Sequence, residues 1–182
     1  MLGLVDDFDS RFNNQNPLTM KLNFIMIFAT ALAPLAIGFV WYNPKVLGTA
    51  WVKATGLTEE QLKGANMPLI LGLTYFFGLL ITISLHSIVI HQMGVYSLLM
   101  SDPKAVAANS ELYNSIMEAH GHSFRTYKHG ALHGAISSIF LILPIIGINA
   151  LFERRGWKYI LIHTGYWIAT FTVMGAIVCH SA

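Results

Sequence analysis

The sequence is short of charge. Of its 182 residues, 11 are Lys or Arg and 9 are Asp or Glu, which is 11%, against roughly 25% in an ordinary soluble protein. The shortage is uneven. Four stretches, 22–44, 64–101, 129–152 and 159–182, contain no charged side chain and together hold 109 residues. A soluble fold does not sort its charges this way, because each of its core helices also needs a polar outer face. The pattern excludes a soluble enzyme and a disordered chain. A net charge of +2 gives no motive for a polyanionic partner, which excludes a nucleic-acid binder. Cysteine is nearly absent: Cys179 stands alone, so no intrachain disulfide forms, and a lone thiol in an apolar run is most simply a small packing residue. A glycine-rich phosphate loop, a His-Glu-x-x-His motif and a nucleophile elbow are also missing. The chain is therefore expected not to be an enzyme.

What is present is apolar length. A charge-free run of about 20 residues can cross a bilayer as a helix. The expected fold is all-α: a four-helix transmembrane bundle with spans at about 22–42, 68–92, 129–152 and 157–180. Short amphipathic interfacial helices are expected in the first and second connections. Residues 1–20 read as a polar tail, and 21–182 as one membrane domain. Met20-Lys21 before an apolar run looks like a signal peptide, with Ala31-Leu32-Ala33 as a cleavage site. Pro34 directly after that site, and an apolar run reaching Tyr42, favour a retained span; Met20 is then the expected natural start. Pro34 and Pro144 fall mid-span and should kink their helices. Trp41, Tyr42, Trp51 and Trp157 are expected interface anchors.

In the first connection, apolar residues around Trp51 with two lysines suit a membrane-surface helix. Thr58 and Gln61 then form a capping box, and Gly64 closes that short helix. In the second, Asp102-Pro103 starts a helix whose apolar positions Ala105, Ala108, Leu112, Ile116 and Ala119 repeat at helical spacing up to Gly121. In the third, Glu153 to Gly156 makes a tight hairpin. Lys45, Lys53, Lys63, Arg154, Arg155 and Lys158 crowd the first and third connections, while Arg11, Lys21, Lys104, Arg125 and Lys128 are spread over about twice the length on the other side. The positive-inside rule then puts the termini outside.

Histidine is the exception within this apolar chain. There are eight: His86, His91, His120, His122, His129, His133, His163 and His180. Helix direction gathers all but His163 at one membrane face, the face expected outside. Antiparallel spans 2 and 3 set His91 level with His129 and His86 level with His133. His129 and His133 share a helix face. With Glu118, His120 and His122 just upstream, the set His86, His91, His129, His133, Glu118, His120 and His122 offers imidazole and carboxylate ligands suited to zinc, copper or iron. Paired histidines also suit haem or a proton relay. A polar interhelical network without any metal is the plainer expectation.

Gly130, Gly134 and Ser138, and again Gly165 and Ala169, are small residues one turn apart. They let helices approach closely, and packing inside the bundle is preferred to a dimer face. Asn149, Glu153, Arg154 and Arg155 could bind a lipid phosphate or a partner, although a hairpin tip obeying charge rules is the preferred reading.

Two segments, FVWYNPKVLGTAWVKATGLTEEQL and NALFERRGWKYILIHTGYWIATFTVMGAI, together resemble a known family. It is the domain of unknown function 1761, a family of small bacterial integral membrane proteins. The likeness lies in Trp41-Tyr42-Asn43-Pro44, in Gly48-Thr49-Ala50-Trp51, in Asn149 to Glu153, in Gly165-Tyr166-Trp167 and in the HGALHG run from His129 to Gly134. It covers roughly residues 20–180 and implies a four-helix protein of the bacterial inner membrane, with no activity carried over. The leading expectation is an accessory or scaffold subunit of a membrane complex, or a homo-oligomer, with the lipid bilayer and other membrane subunits or itself as partners and no cofactor. The alternatives are a small transporter or proton/metal conduit lined by the membrane-face histidines, and a metal- or haem-binding membrane protein.

Overall fold

The computed structural model describes residues 23–100 and 106–181, and these are all-α. The polar tail, the Met20 start, the Asp102-Pro103 cap and Ala105 lie outside the described residues. Among the described residues, four helical stretches are long and apolar enough to cross a membrane: Phe24–Trp41, Met67–Val89, Tyr127–Phe152 and Trp157–Ser181. They coincide with the charge-free runs because a helix satisfies its own backbone hydrogen bonds, and only apolar side chains then tolerate hydrocarbon. The chain is a multi-pass membrane protein.

The first span is two helices, α1 (Phe24–Thr30) and α2 (Ala33–Trp41). The Asn23 side chain caps α1 by accepting from the Met26 N–H at 3.0 Å. Pro34 has no N–H to give the Thr30 carbonyl, so the winding breaks just before it and the proline falls in the first turn of α2, where a missing donor costs nothing. Asn43 then caps a single π-type turn, Pro44–Gly48. Next come α3 (Thr49–Thr55) and α4 (Glu59–Lys63), the second opened by the Thr58–Gln61 capping box and closed at Gly64.

The second span, α5 (Met67–Val89), ends before Gln92. Ile90 takes an extended backbone and a new helix, α6 (Gln92–Met100), starts beyond it. The second connection thus holds two helices, α6 and α7 (Val106–His120), instead of the single one expected. These two belong to a compact unit of their own, Gln92–Ser123. Within it the Gln92 amide donates to the carbonyls of His120 and Ser123, Asn109 donates to the Leu99 carbonyl, and Tyr96 meets the buried Tyr113 edge-on. The helices therefore run antiparallel.

The four spans form the other unit, Asn23–His91 with Phe124–Ala182. The third span is α8 (Tyr127–Ser137), a π-type stretch Ser138–Ile142, and α9 (Leu143–Phe152). Pro144 cannot donate to the Phe140 carbonyl; the chain absorbs this by widening one turn, with the Leu143 N–H reaching the Ser138 carbonyl. The fourth span, α10 (Trp157–Ser181), is the hub: it packs on the other three and is 44% buried, against 17% for the second and third. Large apolar side chains such as Phe39, Phe76, Phe140 and Leu161 stay exposed on the outer faces, where lipid replaces water.

Close packing rests on glycine. A Cβ added at Gly130 would land on the Gly175 carbonyl, and one at Gly134 on the Phe171 carbonyl, so α8 and α10 meet backbone to backbone. Gly78 of α5 lies equally tight against Ala31, at the break in the first span. With no hydrophobic drive between helices in lipid, this contact area is the main source of cohesion. Buried hydroxyls bond their own helices: Thr82 to the Gly78 carbonyl and Thr170 to the Tyr166 carbonyl.

Candidate metal centre

The Gly130–Gly134 ridge fixes where two histidines go. His129 and His133 each precede one of these glycines, so they form a parallel ridge one residue around α8 from the α10 contact. Thr126 caps α8, its hydroxyl accepting from the His129 N–H at 3.2 Å. His91 lies just past the end of α5. The three rings meet: centroids are 4.9 Å apart for His91–His129, 5.2 Å for His91–His133 and 4.4 Å for His129–His133. The Nε2 atoms of His91 and His129 are 2.9 Å apart. One nitrogen from each ring lies within 4.8 Å of the others. Three imidazoles on a tetrahedral ion require nitrogen separations of about 3.3 Å, from metal–nitrogen bonds of about 2.05 Å. The His91–His129 separation is just under that value, and all three lie within 4.8 Å.

The surroundings hold this arrangement. The Phe124 ring lies tilted 5.2 Å from His129 and edge-on 5.8 Å from His91. Its backbone is left-handed, with φ of 64°, a conformation unusual for a bulky residue and retained only where neighbours fix it. Besides the Thr126 N–H, which donates to the Phe124 carbonyl at 2.9 Å, the group that meets this turn is Cys179. Its thiol faces the Phe124 carbonyl at 3.3 Å and the Val89 carbonyl at 3.5 Å, and its own carbonyl accepts from Arg125 Nε at 3.1 Å. One residue thus joins the end of α5, the turn before α8 and α10. Burial pulls the Arg125 guanidinium below its ordinary pKa, and Cys179 offsets part of that.

The other expected ligands are not members of this cluster. His86 is buried, engages the Thr82 carbonyl of its own helix through Nδ1 and is not a member of the three-imidazole cluster. Glu118, His120 and His122 belong to the Gln92–Ser123 unit and are not members of the three-imidazole cluster. His180 stacks on Tyr127 at 3.8 Å.

A family profile described as protein of unknown function (DUF1761) matches residues 25–179. The chain belongs to that family. Searches of curated proteins and of solved structures each return no match.

The two segments that carry the DUF1761 resemblance come together at the opposite end of the four spans. Trp41 donates its indole N–H to the Ile162 carbonyl at 3.1 Å and packs its ring on Gly165. Tyr42 contacts Trp51, His163 and Tyr166, with centroids at 5.4, 6.1 and 5.2 Å. Trp41, Tyr42 and Trp51, expected as anchors, are therefore half-buried parts of an aromatic cluster, whereas Trp157 is exposed. Ser138 is fully buried and Ala169 half-buried. At the hairpin, the Glu153 N–H donates to the Asn149 carbonyl, and Arg154 takes a left-handed turn. Arg155 pairs loosely with Glu153 at 3.5 Å and donates to the Thr55 carbonyl at 2.6 Å. The site set read from the sequence names Trp41, Tyr42, Trp51 and Gly165 at this end but leaves out His163 and Tyr166. Their signal was the spacing of Tyr159, His163 and Tyr166 along one face of α10 in an apolar run.

Proposed function

We propose that this DUF1761 member binds a divalent transition metal ion, of the zinc or copper class, at one membrane face through His91, His129 and His133. The observation that carries the reading is the convergence of three imidazole nitrogens within 4.8 Å. Neutral nitrogen donors with no thiolate suit zinc, copper or nickel. The site lies at the end of one span and the start of another, and His91 is exposed, so an ion enters from water without crossing hydrocarbon. Haem is a poorer occupant: nitrogens 2.9 Å apart leave no room for a porphyrin plane between His91 and His129. The basic first and third connections favour a site on the outer face of a bacterial inner membrane. Among the described residues no carboxylate joins the three imidazoles to serve as a base, so the reading is of a binding protein. A homo-oligomeric scaffold draws less support, because Gly130, Gly134 and Gly165 are already covered within the chain.

The test is calorimetric titration of zinc chloride, and separately copper sulfate, into chelator-stripped full-length protein in lipid nanodiscs. One ion per chain is expected. Affinity should fall about a hundredfold in His129→Gln/His133→Gln and stay unchanged in His163→Gln. Undiminished binding by the double variant, or none by the parent, overturns the reading.

A further inference from the structure

A zinc-class ion in a protein is most often four-coordinate, and three nitrogens converge at the centre formed by His91, His129 and His133. Three donors spaced about 3.3 Å apart and bonded at about 2.05 Å hold a tetrahedral ion about 0.7 Å out of their plane, with its fourth bond directed away from them. What occupies that fourth direction decides what the ion can do.

The thiol and the remaining imidazoles of the four-span unit are engaged elsewhere. The Cys179 thiol donates to the Phe124 and Val89 carbonyls. His86 engages the Thr82 carbonyl, His180 stacks on Tyr127, and His163 meets Tyr42 at the opposite end. The carboxylates of this unit, Glu59, Glu60 and Glu153, belong to the first and third connections, at that same opposite end. Among the described residues, no other imidazole, thiol or carboxylate joins the three nitrogens. Nor is the centre sealed. His91 is exposed, His129 and His133 are half-buried, and Phe124, whose ring touches two of the ligands, is 65% exposed. Structural sites for such ions present four protein ligands in a closed shell, whereas three ligands beside solvent leave a place for a ligand from outside the chain.

We propose that the ion held here keeps one coordination position open to water, and that this position takes a small monodentate anion from solution. This rests on His91, His129 and His133 binding the ion, as proposed above. The exchange is a substitution with no change of oxidation state. A lone pair of the anion forms a bond to the ion, the bond to water breaks, and the water leaves with both of its protons. A bound water that instead releases one proton becomes hydroxide, itself such an anion, and holds the position more firmly as pH rises.

The experiment uses full-length protein in nanodiscs, stripped with chelator and loaded with cobalt(II) chloride, whose visible bands report its coordination. Sodium azide is the probe, with bound cobalt counted before and after. One cobalt per chain is expected, and azide should shift and strengthen its bands saturably, one azide per ion, without releasing cobalt. Raising the pH from about 7.5 to about 9.5 should weaken azide by about tenfold or more, because hydroxide then holds the position. His163→Gln should match the parent. Bound cobalt whose bands ignore azide means that the chain closes the shell itself; this overturns the open position and leaves the metal site standing. Azide affinity unchanged at the higher pH does the same. No bound cobalt, or an unaltered azide response in His129→Gln/His133→Gln, overturns both.

Discussion

The two ends of the four-span unit use similar residues to opposite effect. Each brings histidine together with aromatic rings. At the Cys179 end, glycine on both α8 and α10 lets those backbones touch, and His129 and His133, beside the α8 glycines, meet His91 from just past the end of α5. At the Trp157 end, bulky rings from Trp41, Tyr42, Trp51 and Tyr166 stand between the helices, holding them apart around a hollow. The lesson is that helix separation, set by residues that do no chemistry, decides what a histidine meets. Where backbones are close it meets other histidines; where rings intervene it meets rings.

The contrast breaks most sharply at glycine. Gly134→Leu drives a side chain into the Phe171 carbonyl and should cost about 3 kcal/mol or more. A large drop in the detergent unfolding midpoint would report it, accompanied by loss of metal binding. Gly38→Ala at the aromatic end should change the midpoint by less than about 0.5 kcal/mol, since its Cβ would sit 3.6 Å from the Tyr166 ring, an ordinary contact. Equal penalties at the two positions would erase the distinction.

Acid comes next in size. Metal binding needs neutral imidazoles, so protons compete with the ion and affinity declines as the pH falls. Zinc affinity should fall about a hundredfold between pH values of about 7.5 and 5.5. A flat profile would mean that the imidazoles are not the ligands.

The smaller effects concern what ties each end together. Cys179→Val removes the donor facing the Val89 and Phe124 carbonyls and should cost about 1–2 kcal/mol, whereas Cys179→Ser keeps a donor and should cost less; paired chemical-denaturation curves separate the two. At the other end, Arg155→Ala loses an exposed bond to the Thr55 carbonyl and a screened ion pair, worth under about 1 kcal/mol. Faster amide exchange in α3 with little shift in midpoint is the expected sign. A midpoint loss larger than that of Cys179→Val would reverse the ranking.

Membrane helices are legible in sequence because charge is excluded from them outright, and the observed spans start and stop within three residues of the charge-based reading. What escaped was backbone detail inside those runs. Residues 64–101 carry no charge, and no Pro or Gly marks Ile90, so the break that frees His91 from α5 had no sequence signal. The widened turn before Pro144 was invisible for a similar reason: a proline predicts a lost hydrogen bond but not how the chain absorbs it. At the site, antiparallel direction was enough to set His91 level with His129. Level is not facing, however. His86 was placed at the right height opposite His133, yet rotation about α5 turns it to its own Thr82 carbonyl. The hollow at the aromatic end was less legible still, because it is made by the space that side chains from three spans leave unfilled.

The widened turn at Ser138–Ile142 also sets an angular phase. A π-type turn is an α-helix carrying one surplus residue, and each residue advances an α-helix by about 100°. Deleting one residue from this stretch would return the third span to uniform winding and swing everything after it by about that angle. Ala150, wholly buried, would leave its seat, and the hairpin would emerge at a different bearing, while His129 and His133 kept theirs. The third span is thus two rotors joined by a single-residue spacer: one aims the imidazoles, and the other aims the hairpin from which the fourth crossing begins.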